Sequence, residues 1–410
     1  MPSKKSHCKD QLIFKEEMKQ ALKGNSKSQL YVGLAYFGGR GTNIDYGKAV
    51  YWLKRACNKG EVTAHAMLGS FYYCGIGVEE DYQTALHFLT KARNVGNGSA
   101  QYHLGKMRSK GHGVTMNLDK ALLWYEKSAQ KGYKNSYYEI GKIYDNENYN
   151  GFDKQKAITA FKLGAKAGCK YAQKRLGRTY ETGDGVPNDF NKAEYCYMKS
   201  AEQGYTSAYG CLGWLYLERR NYEKAFHWLS KAAEADDYHG QRGLGSMYRR
   251  GLWVYKNNDQ AIKWYTKSAL QGSVLASEQL TYMYLERKDY KNAFYWCSQA
   301  IEGGEPTIQY NYGMFYFKGE VVTQNFEQAS VWLLKAALQG HYDAQKNLGG
   351  MYINGWGVPR DLKQARFWFE QTGNGKLIEQ QFMLGADFMP PNLDLKKQHE
   401  QNNTESNSTH

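Results

Sequence analysis

Along most of the chain, apolar residues recur three and four positions apart in blocks of about a dozen, and glycine-rich polar stretches separate the blocks. Near the start this spacing predicts one helix roughly from Thr63 to Cys74 and another roughly from Tyr82 to Asn94, joined by "GIGVEED". The pair then repeats. Alanines at 49, 85, 121, 157, 193, 225, 261, 293, 329 and 365 share one register, stepping by 36 residues except for two steps of 32. Glycines at 33, 69, 105, 141, 177, 213, 245, 313 and 349 mark the first helix of each pair, with Thr281 in their place in the eighth copy. Three residues after the alanine stands an aromatic in eight copies, Phe88 and seven tryptophans (52, 124, 228, 264, 296, 332 and 368). Ala160 and Cys196 are the exceptions.

A lone helix pair cannot bury its apolar face, so stacked copies must supply a shared core. The pattern predicts an all-α fold, a right-handed α/α superhelix (solenoid) of about ten helix-turn-helix repeats. Residues 1–27 read as an arm with a capping helix from Gln11 to Lys23, and 28–373 as ten repeats. Residues 374–389 read as a second capping helix, and 390–410 as a disordered polar tail. A glycine inside a helix costs about 1 kcal/mol relative to alanine, so its recurrence at one register implies close helix approach. The aromatic three residues past the alanine is expected to fill the adjoining gap as core. Where the step is 32, "LERRNY" and "LERKDY" replace the glycine turn.

Composition narrows the class. Lys and Arg number 54 against 40 Asp and Glu, a net charge of +14, so acidic partners or nucleic acid are the complementary ligands. Seven cysteines form no Cys-x-x-Cys pair, which favours reduced thiols in a cytoplasmic setting. The basic start has only Leu12 to Phe14 as an apolar run, and no stretch of about 18 apolar residues could span a bilayer.

Candidate chemistry is sparse. Gly75-Ile-Gly77 recurs at 111–113, 183–185 and 355–357. A dinucleotide fingerprint needs a preceding strand and a third glycine, whereas here a helix precedes and position 80 is glutamate. These glycines are expected to supply positive φ in a turn. Cys57 and His65, or His103 and His112, do not repeat a metal-ligand spacing, and no nucleophile or phosphate-loop motif occurs. The expectation is a non-enzyme with no cofactor and no metal.

The phrases A-x-x-x-L-G-x-x-Y, G-x-G-V-x-x-D and K-A-x-x-W-Y-x-K-A-A-x-x-G resemble the Sel-one-like repeat, a relative of the tetratricopeptide repeat. Residues 100–132, "AQYHLGKMRSKGHGVTMNLDKALLWYEKSAQKG", follow it almost throughout, with 172–204 and 344–373 nearly as close. Some secreted relatives pair cysteines eight residues apart and resemble penicillin-binding hydrolases. Here His65 and Gly177 stand eight past Cys57 and Cys169, so that activity does not carry over.

The resemblance implies that the first helix of each pair lines a concave face, with residues three before, one after and four after the marker glycine pointing inward. Those positions give Tyr102, Lys106, Tyr138, Lys142, Lys174 and Arg178, then Trp214, Arg242, Arg249 and Tyr282, and finally Tyr310, Met314 and Phe317. Arginine and tyrosine anchor interfaces through forked hydrogen bonds and flat contact area. The expected function is a protein-binding scaffold or adaptor taking an acidic partner segment in this groove, with bacterial signalling or secretion as the family's setting. An immunity protein clasping a toxic effector, and a nucleic-acid binder using tyrosine stacking, are the alternatives.

Overall fold

The computed structural model describes residues 4–93 and 96–373. Among these every regular element is helical, 21 α-helices and one 3-10 turn at Ile301–Gly303. In chain order they are α1 (Lys4–Leu22), α2 (Ser26–Gly38), α3 (Tyr46–Asn58), α4 (Val62–Cys74), α5 (Tyr82–Arg93), α6 (Gly98–Lys110) and α7 (Leu118–Gln130). Then follow α8 (Asn135–Tyr144), α9 (Lys154–Lys166), α10 (Lys170–Thr182), α11 (Phe190–Glu202), α12 (Thr206–Glu218), α13 (Tyr222–Glu234) and α14 (Tyr238–Arg250). The last seven are α15 (Asn258–Leu270), α16 (Val274–Glu286), α17 (Tyr290–Ala300), α18 (Pro306–Lys318), α19 (Phe326–Leu338), α20 (Tyr342–Asn354) and α21 (Leu362–Gln371). Even-numbered helices from α2 onward are the first of a pair and odd-numbered ones the second. The chain divides into two compact units, the first ending at Ala208 and the second starting at Tyr209, within α12. The helices predicted over 63–74 and 82–94 are α4 and α5. The capping helix predicted from Gln11 begins earlier, at Lys4, and lays Phe14, Met18 and Ala21 against Val32 and Trp52. The second capping helix and the tail, predicted over 374–410, lie outside the described residues.

One residue per copy fixes the pairing. Four positions before each marker alanine stands an Asp or Asn: 45, 81, 117, 153, 189, 221, 257, 289, 325 and 361. In all ten copies its side chain accepts the backbone N–H three residues on, capping the second helix. Its own N–H donates to a carbonyl in the last turn of the first helix, as Asp81 does to Tyr72 at 2.9 Å. Each such cap is worth about 1 kcal/mol. The short turns keep the arrangement, because the cap needs only the cap residue and the next turn of helix.

The core corrects one expectation. The marker alanines are fully buried, but of the seven tryptophans three residues on, only Trp52, Trp296 and Trp368 are. Trp124, Trp228, Trp264 and Trp332 are half-buried, each with a lysine ammonium 3.8 to 5.1 Å from its ring. The residue that meets the marker glycine is the fourth after the alanine: Leu53, Leu89, Tyr125, Phe161, Tyr197, Leu229, Tyr265, Cys297, Leu333 and Phe369, none above 2% exposed. A Cβ on Gly69 would fall 2.6 Å from Leu89, and one on Gly105 2.7 Å from Tyr125. Helix geometry gives the reason. With 3.6 residues per turn, position +4 lies closer than +3 to the line of the buried alanine. The eighth copy alone carries a side chain, Thr281, at the marker, and it has the smallest residue of the series, Cys297, at +4.

The glycine turns are helix ends. Gly75 stops α4 at φ 67°, its N–H donating to Phe71, and Gly77 also takes φ 67°. A Cβ on Gly77 would sit 2.7 Å from the backbone of Tyr46, the first residue of the preceding second helix. The two copies that follow a shortened turn dispense with this second glycine and place Trp253 and Val321 there. Trp253 still adopts φ 65° and projects into solvent, 60% exposed. In the shortened turns themselves Arg220 and Lys288 hold the left-handed position, at φ 57° and 58°.

Candidate functional site

In the first unit the first helices lie side by side. α4 packs against α6 and α8 against α10, whereas no two second helices approach as closely. The residue after the marker glycine is a cation in three successive copies: Lys106 on α6, Lys142 on α8 and Arg178 on α10. Each lysine rises over a tyrosine one turn back, Lys106 at 5.9 Å from Tyr102 and Lys142 at 5.5 Å from Tyr138. Lys106 also lies 5.2 Å above Tyr73. Cation–π contact of this kind is worth about 0.5–1 kcal/mol at exposed sites and restricts the ammonium's position. The tyrosines are themselves wedged in place, Tyr102 against Tyr133 at 4.8 Å and Tyr138 against Tyr171 at 5.7 Å, and burial pushes both phenols up. Arg178 is exposed and Lys174 half-buried, and neither forms an ion pair among the described residues.

α6 and α8 do not pack as closely as their neighbours, and a cleft of about 310 Å³ opens between them. Lys106, Lys110 and Lys142 line it, with Glu139 and with Tyr125, whose hydroxyl lies 3.3 Å from that of Ser109. Three ammonium groups against one carboxylate leave the cleft net positive. Glu139 is engaged internally, accepting from Lys142 at 3.2 Å and facing the Tyr102 hydroxyl at 3.5 Å. Lys110 ends α6, and nothing in the repeat register singles it out; only the gap between the two helices reveals it.

The second unit carries no cation directly after a marker glycine; its groove arginines stand three before and four after Gly245. Arg242 lies over the Trp214 ring at 4.2 Å, and burial pulls its pKa down. Trp214 donates its ring N–H to the carbonyl of His239 at 3.2 Å. Arg249 donates to Gln279 at 2.7 Å and to Glu286 at 2.9 Å. Tyr282 donates to Glu305 at 3.1 Å, and Tyr310 stacks on His341 at 4.6 Å. Met314 accepts from Asn347 at 3.2 Å. Phe317, expected on the groove, is 3% exposed and packs into the core against Phe326 and Trp356. The equivalent Tyr73 is buried in the same way, against Tyr82 and His112, so in both copies rings of the second helix and of the next turn cover this position. Thus Arg249 is already paired with a carboxylate and Arg242 is half-buried over Trp214, whereas in the row of the first unit only Lys142 has a carboxylate partner among the described residues, Glu139.

A charged network that the register did not suggest ties α8, α9 and α10. Asp145 accepts from Lys154 at 2.7 Å and from Arg175, and Lys154 reaches on to Asp184 at 2.8 Å. One contact nine residues apart and two contacts 30 residues apart together make it visible. Among the described residues no group of His, Cys, Asp and Glu could hold a metal ion, and no helix is long and apolar enough to cross a membrane.

Residues 26–61, 62–97, 98–133, 170–205, 211–237, 239–273, 276–305, 308–341 and 343–374 match the family model of the Sel1 repeat. The fourth copy, 134–169, falls outside the match; its α8 has only 10 residues and its turn lacks the glycine pair. An F-box protein of Arabidopsis thaliana is 38% identical over 97 residues, 23% of this chain and 27% of that protein. A sel1-like repeat-containing protein of Acanthamoeba polyphaga mimivirus is 32% identical over 104 residues, 25% of this chain and 19% of that protein. The chain thus spans about a quarter or less of the length of these curated relatives. Among solved structures, a protective antigen of uropathogenic Escherichia coli strains displaying an SLR fold is 30% identical, with 90% of each chain covered and a TM-score of 0.48.

Proposed function

We propose a function from one premise: the chain belongs to the Sel1 repeat family, whose repeats typically mediate protein–protein interaction. The first unit is a docking face for an acidic segment of a protein partner, and the chain acts as a non-catalytic scaffold or adaptor. The observation that carries this reading is the row Lys106, Lys142 and Arg178, at one register on α6, α8 and α10, with a net-positive cleft between the first two. Tyrosine rings hold the two lysines in place, which lowers the entropy lost when a carboxylate binds. In the second unit no cation follows a marker glycine, and Arg249 is already held by Glu286, so that unit offers an acidic partner less.

The test is fluorescence polarisation of a dye-labelled peptide of alternating Glu and Gly against the full chain at low salt. Lys106→Glu with Lys142→Glu and Arg178→Glu is expected to weaken binding at least tenfold, about 1.4 kcal/mol. Reversing Lys120, Lys162 and Lys166, all exposed on second helices, changes the net charge equally and is expected to have little effect. Equal losses in the two triple variants would show that only net charge matters, and the docking face would be abandoned. Because the cations are partly exposed, affinity should also fall as salt shortens the screening length below about 10 Å.

Glu139 sharpens the same test. Its carboxylate competes internally for Lys142, so Glu139→Gln should raise affinity for the acidic peptide about threefold, an exposed pair being worth under about 1 kcal/mol. Unchanged or weaker binding by this variant would mean that the cleft does not receive the peptide's carboxylates.

A further inference from the structure

In the turn between α14 and α15, residues 251–257, two large rings reach into solvent: Trp253 is 60% exposed and Tyr255 97%. Trp253 occupies the register of Gly41, Gly77, Gly113, Gly185 and Gly357 and keeps their left-handed backbone, at φ 65°. Only glycine enters that region freely, so a side chain there strains the chain. Val321, in the same register after the other shortened turn, does not take a positive φ. The strain at Trp253 is not offset by burial, since most of the ring stays in water. A bulky residue held in such a conformation points to a function outside the fold. In a stack of antiparallel helix pairs, the turns that follow first helices share one end. α13 packs on α14 and α15 on α16, so this seven-residue turn stands between two turns of three, 219–221 and 287–289. Four extra residues between shortened neighbours leave its tip uncovered. The three turns hold five exposed cations, Arg219, Arg220, Lys256, Arg287 and Lys288, against one carboxylate, Asp289, which caps α17.

We infer that this end of the second unit docks on an anionic lipid surface, with Trp253 and Tyr255 seated at the headgroup boundary and the flanking cations among the lipid headgroups. The site is independent of the acidic-segment face, which belongs to the first unit. Indole and phenol each join an apolar body to a polar end, which suits them to the boundary between acyl chains and water. The centre of a protein interface is depleted of charge, whereas these rings are bordered by cations on both sides. Single-stranded nucleic acid stacks on rings that line a basic groove, whereas these stand at the tip of a turn. Two rings and a few cations hold weakly, so the docking is reversible.

The test is flotation of the full chain with vesicles of equal parts phosphatidylcholine and phosphatidylserine, with phosphatidylcholine vesicles as the neutral comparison. The chain is expected to bind the anionic vesicles about tenfold more tightly, and less so as salt rises. Trp253→Gly with Tyr255→Ser should weaken that binding about fivefold. Tyr51→Ser with Tyr195→Ser, which removes two rings exposed on second helices, should leave it unchanged. Trp253→Gly alone restores the residue that five other copies carry, so its urea midpoint should equal or exceed that of the wild-type chain. A lower midpoint would give the ring a structural role and overturn the inference. Equal vesicle binding by the wild-type chain and the Trp253, Tyr255 variant would reduce the attraction to the net charge of +14, which also overturns it. So would no binding of anionic vesicles at low salt. Tighter binding of a single-stranded oligonucleotide, lost in the same variant, would assign the rings to base stacking instead of lipid.

Discussion

A chain carrying Gly141→Val is expected to lose more than about 3 kcal/mol of stability, the upper range for overpacking a close-packed core. A Cβ at position 141 would fall 2.3 Å from the ring of Phe161, which is 1% exposed and has nowhere to retreat. Valine adds two methyl groups to that clash, and its gain in helix propensity over glycine, under about 1 kcal/mol, does not offset it. Phe161→Ala alone should cost about 3–5 kcal/mol by opening a cavity. In the double variant the valine occupies part of that cavity, so the two losses should fall short of additive by about 2 kcal/mol or more. Urea denaturation followed by circular dichroism measures all three variants. Additive losses, or a near-neutral Gly141→Val, would show that the glycine is not there to admit the ring. Gly105 with Tyr125 and Gly177 with Tyr197 repeat the geometry and should respond in the same direction.

Asp145→Asn is the second large effect. The carboxylate is only 12% exposed and joins Lys154 and Arg175, each 29% exposed. Without it, Lys154 keeps only Asp184 and Arg175 loses its carboxylate partner. A buried pair broken on one side costs about 3–5 kcal/mol, and the partial exposure here reduces that to about 2 kcal/mol. Burial pushes the Asp145 carboxyl up, but hydrogen bonds and charge from Lys154 and Arg175 pull it further down, so it lies below the ordinary aspartate value. A depressed carboxylate contributes stability that is fully present above its unfolded pKa, about 3.9, and is lost as pH falls through the folded value. The gap between the wild-type chain and Asp145→Asn should therefore be widest near pH 7 and narrow progressively below about pH 4. Urea midpoints at pH 7, 4 and 3 measure it. A gap independent of pH would mean that the loss comes from altered packing and not from the charge.

How far the sequence could be read depended on the range of the interaction. The caps at Asp45, Asp81 and their eight equivalents act within four residues, and the pattern Asp/Asn, then alanine, then an apolar block places every second helix. The marker glycine was legible as a close approach, but its partner was misassigned. Tryptophan at +3 drew attention because it is large and rare, while the buried contact is made by the varied residue at +4. Matching small against large across the two helices would have found it, since the only non-glycine marker, Thr281, goes with Cys297.

The candidate face shows the same division. Register alone put Lys142, Arg178, Arg242 and Arg249 on one inward face of the first helices, at three different positions around the marker glycine. Contacts 28 to 37 residues away then separated them: Arg249 meets Gln279 and Glu286, Arg242 meets Trp214, and Arg178 meets no carboxylate among the described residues. The sequence by itself determined the helices, their caps and their pairing, which follow from spacing within about 20 residues, and the repeat, which shows in its 36- and 32-residue steps. Only the tertiary structure decided which ring fills each glycine gap, which cations already have partners and where α6 and α8 part to leave a cleft. Those outcomes depend on what the next copy happens to carry at the facing position, and a register that repeats does not make its neighbours repeat.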